Sequence, residues 1–164
     1  MKKIFALAAI LTASVFYSYS DTGFGFEAGF SAELSAFAFA SASVRFDESP
    51  WSFSVNFSPL KQGGFFCADN RFVYAPLSST VNRYVFWGIS AGAYFDDFEL
   101  NTGARLGFGI ECLLTKQRAI ELYVQGAWNP YIGIKNDGDD ADDTEFFLTA
   151  LSFPVSLGAR LWIR

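Results

Sequence analysis

The sequence S-F-P-V-S-L-G-A-R-L-W-I-R occupies residues 152–164. From Val155 onward the odd-numbered residues are apolar, whereas the even-numbered residues are polar, small or amphipathic. A period of two residues is typical of a β-strand with one apolar and one polar face. Arg160 belongs to the polar face of this strand. Such a strand predicts a sheet in which the last strand pairs with another strand instead of forming an edge.

The same alternation recurs through the rest of the sequence and predicts an all-β protein. The predicted strands cover residues 23–34, 36–46, 51–58, 71–75, 84–95, 103–114, 120–128 and 146–164. The strand at 71–75 has the weakest pattern and could begin near Phe65, so the register of residues 65–82 stays open. Strands of about ten residues are long enough to cross a bilayer at a tilt.

The connections between these strands differ in length on the two sides of the predicted sheet. Short turns at residues 47–50, 76–82 and 115–118 lie on one side, and long loops at 59–70 and 129–145 lie on the other. Short periplasmic turns and long outer loops are typical of membrane barrels. The sequence therefore predicts an eight-stranded antiparallel up-and-down transmembrane β-barrel.

Charged residues on the polar faces support this prediction. By parity they are Glu27, Glu33, Arg45, Arg105, Glu111, Glu121 and Arg160. Charges removed from water must be paired, so we expect an interior charge network in which Arg160 binds Glu27 or Glu33 on the first strand. The alternative is a soluble exported lipocalin-like carrier, which would bury the aromatic face and expose the charges.

The first residues predict export. Lys2 and Lys3 precede an apolar run at 4–16, and the small residues Ser18 and Ser20 follow, as in a cleavable signal peptide. We predict a signal peptide at residues 1–20, cleavage after Ser20 and a barrel domain at 21–164. Loss of both lysines reduces twelve basic residues to ten against seventeen acidic ones, a net charge of −7. This acidic balance argues against nucleic-acid binding.

Two segments carry a family resemblance. Residues 157–163 resemble the C-terminal insertion signal of small outer-membrane β-barrels such as OmpX, OmpW and the OmpA transmembrane domain, and residues 103–111 with 120–124 look like the penultimate hairpin of that group. The sequence departs from the family at Arg164, where the signal usually ends in an aromatic residue. The resemblance implies an integral outer-membrane protein that contacts lipid and is recognised by the assembly machinery through its C-terminal strand.

Catalysis is not predicted. The sequence contains no histidine, the general base of outer-membrane barrels that resemble acyltransferases, phospholipases or omptin-type proteases. Glu111 and Glu121 face inward on neighbouring strands, but a salt-bridge network with Arg105 and Arg160 is a more common arrangement than a carboxylate pair acting alone. We expect no enzyme activity, no catalytic residue and no cofactor.

An acidic run in the second long loop is a weak candidate for Ca²⁺ binding. Its acidic residues are Asp137, Asp139, Asp140, Asp142 and Asp143. An EF-hand starting at Asp137 would need glycine where Asp142 stands. We therefore predict a solvated loop and no metal site.

Aromatic residues and cysteines leave two questions open. Trp51 and Trp128 lie at strand ends, as expected for residues at the membrane interface. Four inward aromatic residues could be plain packing or an apolar interior path: Phe37, Phe39, Tyr84 and Phe86. Cys67 and Cys112 have no metal-type spacing, and the outward parity of Cys112 argues against a disulfide without excluding one.

The function expected from the sequence is a structural or surface-interaction role through the long outer loops, in a barrel that is a monomer. The partner of these loops is not indicated by any motif. An OmpW-like narrow conduit for small hydrophobic molecules is the first alternative, and the soluble carrier is the second.

Overall fold

A computed structural model of the chain describes residues 21–32, 37–95, 98–114, 119–136 and 144–163. Its regular elements are the strands β1 (Thr22–Ala32), β2 (Phe37–Phe46), β3 (Trp51–Ser58), β4 (Gly63–Pro76), β5 (Val81–Tyr94), β6 (Glu99–Leu113), β7 (Ile120–Trp128), β8 (Tyr131–Asn136), β9 (Thr144–Thr149) and β10 (Phe153–Ile163). The described ranges contain no helix long and apolar enough to span a membrane. The predicted signal peptide, Glu33 and the acidic residues between Asp137 and Asp143 lie outside these ranges.

Eight of these strands form a closed antiparallel ring. Each of β1 to β6 pairs with the next strand in the chain, and β7 pairs with β10. β10 returns to β1 along the whole strand, from Thr22 opposite Ile163 to Ala32 opposite Phe153. The predicted up-and-down β-barrel is therefore confirmed.

The strands are tilted, because the register climbs around the wall. A path around the wall can be followed from Arg160 by stepping each time to the residue directly opposite on the next strand. The residues on this path are Gly25, Ser43, Ser54, Cys67, Ser90, Gly103 and Tyr131. Tyr131 in turn lies opposite Thr149, eleven residues before Arg160 in the same stretch of chain. A displacement of this size is the stagger that closes a small barrel with strongly tilted strands.

A hairpin of β8 and β9 extends the barrel at one end. β8 continues the line of β7 after Pro130 and pairs with the first residues of β6, and β9 pairs with β8. A long loop was predicted at residues 129–145, but residues 131–136 and 144–145 belong to strands. The prediction is wrong for these residues, because the alternation resumes after Pro130. The predicted strand at 146–164 is divided into β9 and β10, with a hydrogen bond from Asn129 N to Ser152 O at the break.

The other predicted long loop, at residues 59–70, is also wrong. β3 and β4 are joined by the four-residue turn 59–62, in which Gln62 has a φ of 46°. Gly63 and Gly64 lie within β4, and a Cβ on Gly64 would come 2.2 Å from the carbonyl oxygen of Asn56. These glycines mark a close approach of two strands and not a loop.

A β-bulge explains the weak pattern of the fourth strand. The register shifts between Arg71 and Val73, so that Phe72 has no partner across the strand pair. Asp69 and Arg71 are buried on one side of the bulge, and Tyr74 lies opposite Tyr84 on the other. The following turn is shorter than the predicted 76–82, because β5 already begins at Val81.

Aromatic side chains fill much of the barrel interior. Phe39 and Phe65 meet edge to face with ring centroids 5.5 Å apart, and Tyr84 and Phe86 form a second buried group with Ala127. The rings fit because glycines face them on the neighbouring strand. A Cβ on Gly109 would lie 2.3 Å from Cζ of Tyr84.

We expect Gly109→Ala to destabilise the barrel by about 1–3 kcal/mol, because the Tyr84 ring has to move away from the added methyl group. The urea midpoint of unfolding in detergent measures the effect. Gly126→Ala is the matched control, since the nearest atom to its Cβ would be 3.7 Å away. Equal midpoints for the two variants would contradict this packing of ring against glycine.

Candidate functional site

The polarity of the two faces of the barrel wall is the reverse of that in a soluble protein. Large apolar side chains face outward, with exposed fractions of 75% for Phe26, 67% for Phe108 and 66% for Leu157. Charged side chains face inward, and Glu111 and Arg160 are almost completely buried. Apolar residues outside and polar residues inside define a membrane β-barrel.

Five charged side chains form a continuous chain of ion pairs inside one end of the barrel. This rim network consists of Arg45, Arg71, Glu111, Glu121 and Arg160. Glu111 Oε2 lies 2.7 Å from Arg71 Nη1 and 3.0 Å from Arg45 Nη1. Arg45 Nη1 is 3.6 Å from Glu121 Oε2, and Arg160 Nη1 is 2.5 Å from Glu121 Oε1. The network links five strands of the wall, namely β2, β4, β6, β7 and β10.

Neutral donors complete the hydrogen bonding of both carboxylates. Glu111 accepts hydrogen bonds from the Tyr74 hydroxyl and, at 3.3 Å, from Asn82 Nδ2. Glu121 accepts a 2.9 Å hydrogen bond from Trp162 Nε1. The alternation of the sequence does not indicate Tyr74, because the bulge shifts the face on which this side chain lies.

The two predictions for Arg160 have different outcomes. Arg160 lies inside the barrel and binds Glu121 on β7, as in the predicted network of the inward glutamates with Arg160, and Glu27 on the first strand is not its partner. The other predicted partner, Glu33, lies outside the described residues. Gly25 is the residue of β1 directly opposite Arg160. β7 is the other neighbour of β10, and it places a carboxylate directly across from the guanidinium.

A second charged group lies further along the interior. Arg105 Nε binds Asp69 Oδ1 at 2.9 Å. Glu27 accepts hydrogen bonds from three neutral side chains: Ser41, Gln125 and Ser156.

Asp69 and Arg71 were missed because residues 59–70 were predicted as a loop and the strand after them had no clear parity. Among the described residues, the charged side chains of the rim network and of this second group are thus four acids and four arginines, and their formal charges balance.

The predicted apolar interior path is crossed by guanidinium groups. The Cζ atom of Arg71 lies 3.8 Å from the ring centroid of Tyr84, and that of Arg105 lies 5.8 Å from the Phe86 centroid. Phe39 packs with Phe65, while Phe37 belongs to β2 and its side chain lies outside the described part of the chain. Two cavities along the interior measure only about 20 Å³ and about 10 Å³. Space of this size holds roughly one water molecule.

A larger cavity of about 220 Å³ opens at the end of the barrel that contains the rim network. Its lining residues are Asp21, Arg45, Asp47, Tyr74, Glu111, Leu113, Glu121 and Trp162. Arg45 packs between the rings of Tyr74 and Trp162, with its Cζ atom 5.8 Å and 5.4 Å from their centroids. Three members of the rim network, Arg45, Glu111 and Glu121, therefore face this cavity.

The predicted interfacial tryptophans lie on the outer surface. Trp51 contacts Trp87 with ring centroids 5.5 Å apart, and Trp128 Nε1 donates to the carbonyl oxygen of Ala150 at 2.7 Å. Cys67 is buried inside the barrel, whereas Cys112 lies at an outward-facing position of β6. Both thiols are free.

An apolar surface lies on the outside of the β8–β9 hairpin. Its members are outward-facing residues at the start of β6 and in β8 and β9, and we call them the hairpin face: Leu100, Ile132, Ile134, Phe146 and Leu148. They border an open crevice of about 610 Å³. On the inner side of the hairpin, the rings of Tyr131 and Phe147 meet edge to face at 6.0 Å.

Comparisons with known proteins give the following results. No family model matches the sequence, and no curated protein matches it. Among solved structures, the N-terminal β-barrel domain of Pseudomonas aeruginosa OprF is similar at 11% identity and a TM-score of 0.46, over 88% of this chain and 98% of that domain. KdgM porin is similar at 8% identity and a TM-score of 0.25, over 85% of this chain and 98% of that chain.

We expect Glu111→Gln to lower the free energy of unfolding by about 3–5 kcal/mol, because Arg45 and Arg71 lose the negative charge that pairs them inside the wall. Urea titration of the folded protein in detergent measures the loss. Glu48→Gln, in the exposed turn between β2 and β3, is the control and should leave stability unchanged within about 0.5 kcal/mol. A Glu111→Gln variant as stable as the control would show that the rim network does not hold the barrel together.

Proposed function

We propose that this protein is an integral outer-membrane β-barrel with a closed interior, no enzyme activity and a structural or surface-interaction role. The observation that carries the proposal is the polarity of the wall. Apolar side chains cover the outside, while Glu111, Glu121 and Arg160 are buried and paired inside. In water such a distribution would expose a large apolar surface, whereas lipid covers it.

Closure of the sheet supports location in a bilayer. A barrel pairs all the backbone groups of its wall strands, which lipid requires because it offers no hydrogen bonds. The predicted signal peptide and the resemblance of residues 157–163 to an insertion signal favour the outer membrane, with the assembly machinery recognising β10. With the short turns on the periplasmic side, the rim network lies at the periplasmic end of the barrel and the β8–β9 hairpin extends outward.

The interior supports a structural role over a conduit. Arg71 and Arg105 cross the barrel and stack on Tyr84 and Phe86, so that a hydrophobic solute would have to displace paired guanidinium groups. Removing either arginine from its ionic partner inside the wall is costly. The rim cavity also ends on charged side chains and not on an apolar passage.

The absence of catalysis is supported by the state of the two inward carboxylates. Glu111 and Glu121 each contact two guanidinium groups of the rim network and also accept neutral hydrogen bonds. Carboxylates held between guanidinium groups in this way serve as structural ion pairs of the wall. The sequence supplies no histidine to act as a general base.

Membrane integration predicts that the protein stays in the pellet when membranes are extracted with alkaline carbonate. After folding into detergent it should also migrate anomalously on a gel until it is boiled, because a closed barrel resists unfolding by the detergent alone. Release into the carbonate supernatant would instead support the soluble carrier.

A closed interior predicts silence in a planar-bilayer conductance recording and no uptake of an apolar dye by vesicles that contain the protein. The heat-modifiable gel shift of the same preparation confirms that the barrel is folded. Dye uptake above that of empty vesicles would replace the structural role with the conduit.

A further inference from the structure

The hairpin face extends beyond the part of the wall that a bilayer core covers. β10 has eleven residues, and at about 3.4 Å per residue and a tilt of about 40° it rises about 28 Å. The apolar band of an outer-membrane barrel is about 25 Å tall. When the band covers β10, Phe146 and Leu148 lie above it, because β9 precedes β10 in the same line of the wall.

This face is nevertheless apolar and strongly exposed. The exposed fractions are 83% for Phe146, 70% for Leu148 and 58% for Ile132. The charged residues of the hairpin occupy the alternate register positions, where Lys135 lies opposite Glu99 and Glu145. Inside lipid an apolar surface gains nothing from contact with a similar surface, but outside lipid the hydrophobic effect favours its burial.

The face contains both a protrusion and a recess. Phe146 is the most exposed of its side chains and forms part of the wall of the crevice of about 610 Å³, which Leu100, Ile132, Ile134 and Leu148 also line. A surface with a projecting ring next to an apolar hollow is self-complementary under two-fold rotation, the usual symmetry of soluble homo-oligomers. Contiguous exposed apolar patches of this kind mark interaction sites.

We propose that the hairpin face binds the hairpin face of a second copy of this chain in the same membrane, with Phe146 of each copy entering the crevice of the other. This inference rests on the proposed membrane function and names the partner of its outward surface. It replaces the expectation of a monomer, which took no account of the hairpin.

Membrane geometry selects this mode of contact. Antiparallel pairing of β9 with β9 of a second copy requires a two-fold axis perpendicular to the sheet, and this axis would turn one barrel upside down in the bilayer. Contact between outward faces needs an axis along the membrane normal, which keeps both barrels in the same orientation. A charged peptide partner is disfavoured because the described outward positions of β8 and β9 are uncharged.

Cross-linking of purified protein in lipid vesicles tests the proposal. Thr144→Cys, at an exposed outward position of β9 two residues from Phe146, is made in a Cys112→Ser background, in which the remaining Cys67 is buried, and is treated with a short bis-maleimide. We expect a homodimer whose yield stays constant as the lipid-to-protein ratio is raised. Leu148→Ser in the same chain should weaken the dimer by roughly tenfold or more, as loss of a central contact does.

Two controls have similar chemistry at other positions. Phe26→Cys lies on the lipid-facing side of β1, and Phe147→Cys lies on the inner side of the same hairpin. Both should give dimers only at high protein density. Equal yields at positions 144 and 26 that fall together on dilution would overturn the proposal, and so would a monomer that keeps a bound lipid in native mass spectrometry. The heat-modifiable gel shift of each variant separates these outcomes from failure of the barrel to form.

Discussion

Pairing of the last strand with the first is the constraint on which the rest of the structure depends. Lipid offers no hydrogen bonds to the backbone, so a sheet within it must leave no open edge. β10 meets this requirement by pairing with β1 over eleven positions, from Thr22 to Ala32. Closure gives the wall an inside and an outside, and the period of two then assigns every side chain to one of them. The polarity of both faces follows from that assignment.

The interior shows what closure demands of charged residues. A buried ion pair contributes little net stability, but a buried charge without a partner is very costly. Arg160 and Glu121 lie directly opposite each other on β10 and β7, so a slip of one residue would turn one of these charges toward lipid. The rim network therefore specifies the register of the strands as much as it stabilises them. The rings of Tyr84 and Tyr123 fill much of the remaining space, and Arg71 and Arg160 stack on them. Glycines on the neighbouring strands leave room for these rings.

The sequence predicted the fold where alternation is regular and failed where backbone geometry interrupts it. Strands such as β1, β5 and β7 keep one parity throughout, so the alternation alone places Glu27, Tyr84 and Glu121 inside the barrel. The bulge at Phe72 shifts the parity of β4 within one strand, and a single sequence carries no clear mark of that shift. Gly63 and Gly64 predict a loop although they lie in β4, because glycine signals both turns and close strand contacts. Parity places Glu121 and Arg160 on the inner face together, but whether Arg160 pairs with Glu121 or with Glu27 depends on the register of the neighbouring strands, which parity alone does not provide.

The β8–β9 hairpin shows that one sequence pattern can have two physical meanings. Ile132, Ile134, Phe146 and Leu148 alternate with other residues along their strands as the lipid-facing residues do. Within the bilayer core such residues gain no free energy from contact with another protein surface, because lipid chains are as apolar as they are. Beyond about 25 Å of wall the same residues meet water, and each then favours whatever contact removes it from that solvent. Height along the barrel axis, which is set by strand tilt and length, therefore decides whether an alternating strand is an anchor or an interface.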